Sequence, residues 1–309
     1  MASEPRPQVH PVAPVEGGFG FALTVDVEEW YHTCLVPGYV RPGMRPVLRN
    51  ELDRLLPDLL ETLARTGRSA TFFVLGEVAE RLPRRIQEIA ATGHEVASHG
   101  HLHLRASDRL PAEFAADVRR SKAILEDLIG EPVEGYRAPE WSLRGLGNVR
   151  LPLVAAAGFR YDSSLAPYLL SGHPGNPRSV SRLVWPGGEL LEFPPLYLGS
   201  FLRLPAGSIP GRLLPPELLV RAARAHQAKR GLPVFVVHPW ELTGEPTPGP
   251  LKGLARFVHE TGRLHFPPRF RHVLAALPWT TLRAAAGLAP AAREEPTERV
   301  RAERARVAV

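Results

Sequence analysis

The chain has 309 residues, an apolar share of 44% that is ordinary for a globular protein, and a formal charge of +6 with a pI near 9.9. That length allows one large α/β domain or two smaller ones. The charge does not make a nucleic-acid-binding protein: all but three (Lys122, Lys229, Lys252) of the 38 basic residues are arginines, spread along the chain among Glu and Asp rather than gathered in a groove.

Residues 1–18 are polar and proline-rich with no apolar signal core, and are predicted to be disordered. No later segment is apolar enough to span a bilayer, which predicts a cytoplasmic protein without stable membrane insertion. Phe21–Trp30 reads as an apolar strand that ends in three carboxylates, Asp26, Glu28 and Glu29. Cys34, the one cysteine, excludes an intrachain disulfide and a cysteine metal cluster, and reads as a small loop residue. Leucines at helical spacing from Arg49 to Arg65 predict a helix stopped by Gly67. A β-rich run, Ala70–Leu75, precedes a helix to Thr92 with Gly93 as its stop. The run His94-Glu95-Val96-Ala97-Ser98-His99-Gly100-His101-Leu102-His103 follows at another strand end. Pro111–Ile129 is the strongest helix, opened by proline and closed by Gly130.

Beyond it, Gly135–Trp141 offers Arg137 at the end of a short strand and Tyr161–Ser164 adds Asp162 after another, with a helix over Leu151–Ala157 between them. Leu183–Phe193 predicts a β-hairpin turning at Pro186-Gly187-Gly188, as decoration near a barrel mouth. Gly199–Pro216 and Gly244–Gly253 are expected to be long loops, with a helix over Pro216–Arg230. The apolar run Val234–Val237 ends at His238. From Ala284 the composition turns to Ala, Arg and Glu, predicting a tail outside the fold over 284–309.

Acid, histidine pair, arginine, aspartate and histidine thus appear in order, each where an apolar strand ends, which is where α/β enzymes place their chemistry. Two imidazoles four residues apart, His99 and His103, can reach one metal ion. Repeated βα units suggest a parallel barrel or a doubly wound sheet. No G-x-G-x-x-G follows the first strand, so the barrel is the better expectation.

The ordered set Thr24-Val25-Asp26-Val27-Glu28-Glu29-Trp30, Ser98-His99-Gly100-His101-Leu102-His103, Tyr136-Arg137-Ala138-Pro139, Tyr161-Asp162-Ser163-Ser164 and Val237-His238-Pro239-Trp240-Glu241 resembles the five motifs of the polysaccharide deacetylases. These are the NodB-homology enzymes, or carbohydrate esterase family four. The resemblance runs from about residue 19 to about 242. The Asp-Val-Glu-Glu-Trp and His-Pro-Trp-Glu forms are most similar to the exosortase-linked exopolysaccharide deacetylases. The resemblance implies an α/β fold, a distorted (β/α)7 barrel with an inserted β-hairpin and a C-terminal helical extension, making 19–283 the catalytic domain. It also implies a divalent metal and hydrolysis of the N-acetyl group of an amino sugar in an N-acetylated glycan. Asp26 matches the general base, His99 and His103 the metal histidines, Arg137 the arginine steadying the base, and Asp162 the acid that orients the catalytic histidine, His238. The commonest family pattern has a second aspartate at Val27, so Glu28 is taken as the carboxylate ligand and Glu29 as its reserve. Residues two apart on a strand share a face, which would aim Asp26 and Glu28 into one site. Zinc is the default for such a set, with cobalt, nickel or manganese as alternatives.

Amide hydrolysis asks for an activated water, a sink for the oxyanion and an acid for the departing amine, roles these residue types can fill. Arg137 would keep Asp26 ionised, and Asp162 as the carboxylate partner of His238 would raise its pKa and fix its tautomer. Trp30, Pro139, Trp141, Trp240 and Leu242 are candidate substrate-binding residues, with Trp185 as weaker pocket material. Trp30, Trp141 and Trp240 each follow a motif residue and could stack on sugars, although packing in the core is as good a reading for any one of them. His94 reads as a strand terminator and His101 as surface or supporting structure. Two other functions fit the same residues less well: hydrolysis of a cyclic or small-molecule amide, and glycan binding without turnover. A pure binder has no need for a general acid. The polymer and the oligomeric state stay open.

Overall fold

The computed structural model describes residues 6–14, 20–32, 50–168, 172–199, 203–248 and 251–289. Its elements run in chain order as β1 (Gln8–Pro11), β2 (Phe21–Val27), α1 (Leu52–Thr66), β3 (Thr71–Val74), α2 (Gly76–Arg81), α3 (Pro83–Ala91), β4 (Glu95–Ser98), α4 (Pro111–Ile129), β5 (Gly135–Tyr136), α5 (Leu151–Ala156) and β6 (Tyr161–Asp162). There follow β7 (Ser181–Trp185), β8 (Gly188–Glu192), β9 (Tyr197–Leu198), β10 (Leu204–Pro205), α6 (Ser208–Leu213), α7 (Pro216–Arg230), β11 (Val234–Val237), α8 (Gly253–Glu260), α9 (Phe266–Ala276), β12 (Trp279–Thr280) and α10 (Leu282–Ala285).

Parallel pairing links β11, β2, β3, β4, β5, β6 and β8 in that spatial order. Just past β8, Pro195 bridges in parallel to Val234 of β11, and the Leu196 N–H donates to the Val234 carbonyl at 2.8 Å. The seven staves therefore close on themselves as a distorted barrel. Side chains alternate across each stave. Leu23, Val25 and Val27 of β2 pack outward in the main core with the leucines of α1. Ala22, Phe73, Ala97, Tyr161, Phe193 and Val234 form a second cluster. Among the described residues no helix is long and apolar enough to cross a membrane.

Four expectations change. The hairpin forms as read, turning through Pro186-Gly187, but it is not decoration: β8 is a barrel stave, and β7 carries the sheet outward. Part of the segment expected to be disordered is strand, because β1 pairs antiparallel with the edge of β7 and satisfies its backbone groups. The helix expected to run on to Thr92 breaks between α2 and α3, where Pro83 lacks an N–H and its ring pushes Leu82 out of helical geometry (φ −124°, ψ 53°). The expected tail begins too early: α10 spans its start, Ala285 and Ala286 are buried, and the Gly20 N–H donates to the Ala285 carbonyl at 2.9 Å. Residues 290–309 and Cys34 lie outside the described residues.

On α7, His226 is buried edge-on to Tyr197, and burial together with Arg230 lowers its pKa from 6.5 to about 4. Because the folded-state value is depressed, nothing is lost above pH 6.5. Between pH 6.5 and 4 the unfolded chain takes up the proton first and stability falls. Denaturant midpoints measured from pH 7 to 4 should therefore fall less in His226→Leu than in the parent, by an amount on the order of 3 kcal/mol at the acid end. Parallel curves would rule out burial of a neutral His226.

Candidate active site

Each site residue sits at or just past the carboxyl end of a barrel stave. Asp26 comes from β2, with Glu28 just beyond it. His99 and His103 follow β4, Arg137 follows β5, and His238 follows β11. Arg137 is buried and fully engaged. One guanidinium nitrogen, Nη1, donates to Asp26 Oδ1 at 2.5 Å and to Thr24 Oγ1 at 3.0 Å. Nη2 donates to Ser163 Oγ at 2.9 Å, and the guanidinium lies 4.0 Å from the centre of the Phe73 ring. Such fixation holds the Asp26 carboxylate in place in a site only 2% exposed. The second oxygen of Asp26, Oδ2, lies 3.9 Å from His238 Nε2.

Glu28 Oε1 sits between two imidazoles, 2.8 Å from His99 Nε2 and 2.9 Å from His103 Nε2. The nearest ligand atoms of these three residues all lie within 4.8 Å of one another. His99 Nδ1 is 2.8 Å from the Arg137 carbonyl oxygen, which can only accept, so the ring's proton belongs on Nδ1. Its Nε2 then presents a lone pair to a carboxylate oxygen. Two acceptors at that distance call for a cation between them, which is how these residues fit a metal ion. Burial opposes the charge on Glu28, but His103 and His238 hold its pKa well below the ordinary carboxylate range. His103 has a left-handed backbone (φ 49°), a local cost of the kind found where a functional side chain is aimed.

Glu29, the reserve ligand, turns away. Its carboxylate accepts from the Glu51 and Leu52 N–H groups and from Arg81, capping the start of α1. Asp162 requires a correction, because it does not reach His238. Its oxygens accept from Ser164 Oγ at 2.5 Å and the Ser164 N–H at 3.2 Å, and it shares a proton with Glu192. Burial pushes Asp162 up to about 6, and burial beside Asp162 pushes Glu192 higher than its ordinary value. Ser164 Oγ in turn accepts from the Ala138 N–H at 2.7 Å, so Asp162 braces the loop that carries Arg137.

The carboxylate that meets His238 Nδ1, at 2.9 Å, is Glu241. The four-residue spacing of His-Pro-Trp-Glu was a signal for it, since a 3-10 turn over Pro239–Leu242 brings residue i+3 back to i. Burial opposes a charge on His238, but Glu28, Glu241 and Asp26 outweigh it and raise its pKa to about 9. His32 was also missed: it is buried, stacks on His103 at 5.6 Å and places Nε2 3.1 Å from Glu77. Nothing in the sequence marks it.

The aromatic residues divide. Trp30 and Trp240 are 3% and 7% exposed and pack together with Tyr31, so they form the floor behind the site rather than open sugar-stacking walls. Trp141 is half-buried against Tyr168 beside Pro139 and keeps an accessible edge. Leu242 lines a cavity of about 240 Å³ between α1 and α9 that Pro239 also lines but that Asp26, Glu28, His99, His103, Arg137 and His238 do not. Trp185 lies in a separate recess with Pro7 and Leu146. His101 is buried, its ring packed against Gly76, where a Cβ would come within 2.5 Å of Nδ1. His94 accepts from the Ala70 N–H beside Phe72, a structural place at the start of β4.

Residues 50–160 match the family model described as polysaccharide deacetylase. Over that stretch the chain is similar to the polysaccharide deacetylases. Residues 163–286 match a second model, described as a domain of unknown function (DUF3473). Among polysaccharide deacetylase relatives, a peptidoglycan deacetylase of Helicobacter pylori is 30% identical over 110 residues, which are 36% of each chain. A chitooligosaccharide deacetylase of a Bradyrhizobium strain is 40% identical over 84 residues, 27% of this chain and 38% of that protein. The chain thus spans little more than a third of either relative's length. A solved Mycobacterium smegmatis structure assigned to the polysaccharide deacetylases superposes with a TM-score of 0.56 at 23% identity, covering 94% of this chain and 99% of its own, and shows the shared fold.

Proposed function

We propose that the chain is a divalent-metal-dependent N-deacetylase acting on the N-acetylated amino sugars of a glycan, an exopolysaccharide or its precursor, in the manner of the exosortase-linked subgroup that its motifs resemble. The observation that carries this reading is the convergence at one barrel mouth of a buried, arginine-held carboxylate, an imidazole 3.9 Å from it, and a carboxylate set between two histidines. Glu28, His99 and His103 would hold the metal, with zinc as the proposed occupant. Such an ion lowers the pKa of a water and polarises the acetyl carbonyl.

The chain's own residues divide the proton traffic. Asp26, held by Arg137 through Oδ1, takes a proton from the attacking water through Oδ2. His238, cationic at neutral pH, gives a proton from Nε2 to the sugar nitrogen as the carbon–nitrogen bond breaks. The products are acetate and a free amine. Pro139 and Trp141 remain the candidates for contact with the sugar.

Acetate release from N-acetylglucosamine oligomers tests this reading, with the metal content of the same protein determined in parallel. Release that stops after chelation and returns on adding zinc or cobalt is the expected result. Turnover confined to small cyclic amides, or none in the metal-loaded protein, would overturn it.

A further inference from the structure

Glu241 and its neighbours lie wholly inside residues 163–286, the stretch described only as a domain of unknown function. Glu241 is fully buried, and its two oxygens are divided between two jobs. Oε2 faces His238 Nδ1 at 2.9 Å and also accepts the backbone N–H of His238 at 3.0 Å. Oε1 lies 3.2 Å from Nε of Arg212, which is itself 0% exposed. Arg212 Nη1 donates to the His259 carbonyl at 2.8 Å and Nη2 to the Val258 carbonyl at 2.6 Å, both at the end of α8. The Trp240 ring is stacked between His238 at 5.3 Å and His259 at 4.3 Å.

A charge buried this deeply is stable only if paired, and the two contacts of Oε2 with His238 leave Oε1 in need of a countercharge. Arg212 sets its charge against the far oxygen at 3.2 Å, an ion pair without a hydrogen bond between Nε and Oε1. Both hydrogen bonds to Arg212 from α8 are to backbone carbonyls, so they fix its position whatever the local side chains do. Burial opposes a charge on Glu241, but His238 and Arg212 keep its pKa below the usual carboxylate value.

We propose that Glu241, anchored by Arg212, is the positioning residue for His238: it holds the Nδ1–H and so points Nε2 at the nitrogen of the departing amine. The C-terminal region thereby acquires a role, which is to carry the anchor for the acid. The inference rests on the reading of His238 as the proton donor. Asp162, braced against Ser164 and Glu192, takes no part in orienting that ring.

The experiment compares Glu241→Gln and Glu241→Asp with the parent on two substrates. An N-acetylated oligomer expels a poor leaving group that needs a proton. p-Nitrophenyl acetate expels a phenolate that does not. In Glu241→Gln, kcat on the oligomer should fall roughly 100-fold with KM within about twofold, the aryl ester rate should fall less than about threefold, and bound metal should stay constant. Glu241→Asp should recover part of the oligomer rate. Nitrogen-15 NMR of the His238 ring gives a readout independent of turnover: Nδ1 carries the proton in the parent, and the Nδ1-protonated population falls in Glu241→Gln. Equal losses on both substrates, or an unchanged Nδ1-protonated population, would overturn the proposal. A parent inert towards N-acetyl oligomers would sink the deacetylase reading, while the tautomer measurement would still decide the role of Glu241.

Discussion

Asp26→Asn is expected to lower kcat for acetate release by two to four orders of magnitude, roughly the span that a positioned general base supplies. Asparagine matches aspartate in size and keeps a carbonyl oxygen for Arg137, so the guanidinium is not orphaned. It still has Thr24 Oγ1, Ser163 Oγ and the Phe73 ring. The amide cannot take up a proton from water. Metal content should be unchanged, because Glu28, His99 and His103 are untouched and Asp26 is bound by Arg137 rather than by either histidine. Removing Arg137 instead would damage folding as well as rate. An Arg137→Leu change leaves Asp26 as a buried charge without its partner, a loss usually worth about 3–5 kcal/mol. Kinetics at saturating oligomer with metal analysis on the same samples tests the point. An asparagine variant retaining a tenth or more of the parent rate would remove Asp26 from the role of base.

Much of this was legible because the signals were local. Asp26, Glu28, His99, His103, Arg137 and His238 each follow a short apolar run, and a parallel barrel gathers the carboxyl ends of its staves at one mouth. The helix Pro111–Ile129 carried its own start and stop, and the structure has it at those bounds. Failures came where the deciding partner is far along the chain. Gln8–Pro11 has no strand character of its own and forms β1 because β7 offers an open edge. Trp30 and Trp240 look like sugar platforms beside their motifs, yet they pack together and are lost to solvent. Asp162 shows the same limit more sharply. Its motif implied a contact with His238, but Glu192 and Ser164 claim its oxygens, and the role is open to a residue three positions after the histidine. The split between α2 and α3 was readable, since Pro83 stood in the sequence, but the apolar periodicity on both sides of it concealed the break.

The metal set offers the second large effect, and it separates binding from stability. In Glu28→Gln the donor geometry survives but the charge does not. The parent places a carboxylate oxygen against two imidazole nitrogens, and His99 has its proton committed to the Arg137 carbonyl. That arrangement favours a cation. A glutamine amide can instead donate N–H to one of those imidazoles, satisfying it without any ion. The metal-free variant should therefore be at least as stable as the metal-free parent, while its affinity for zinc falls by roughly three orders of magnitude. Mass action then predicts the difference on adding metal. At a thousand times its dissociation constant, zinc stabilises the parent by about 4 kcal/mol, and at the same concentration the variant gains less than about 0.5 kcal/mol. Thermal melts with and without zinc, paired with metal analysis after gel filtration, read both quantities. His103→Ala should lose metal too, but it also vacates a buried position and relieves a left-handed backbone, so its apo stability can move either way. Glu28→Gln is the cleaner probe for that reason. A full equivalent of tightly held zinc in that variant would show that the ion is held elsewhere.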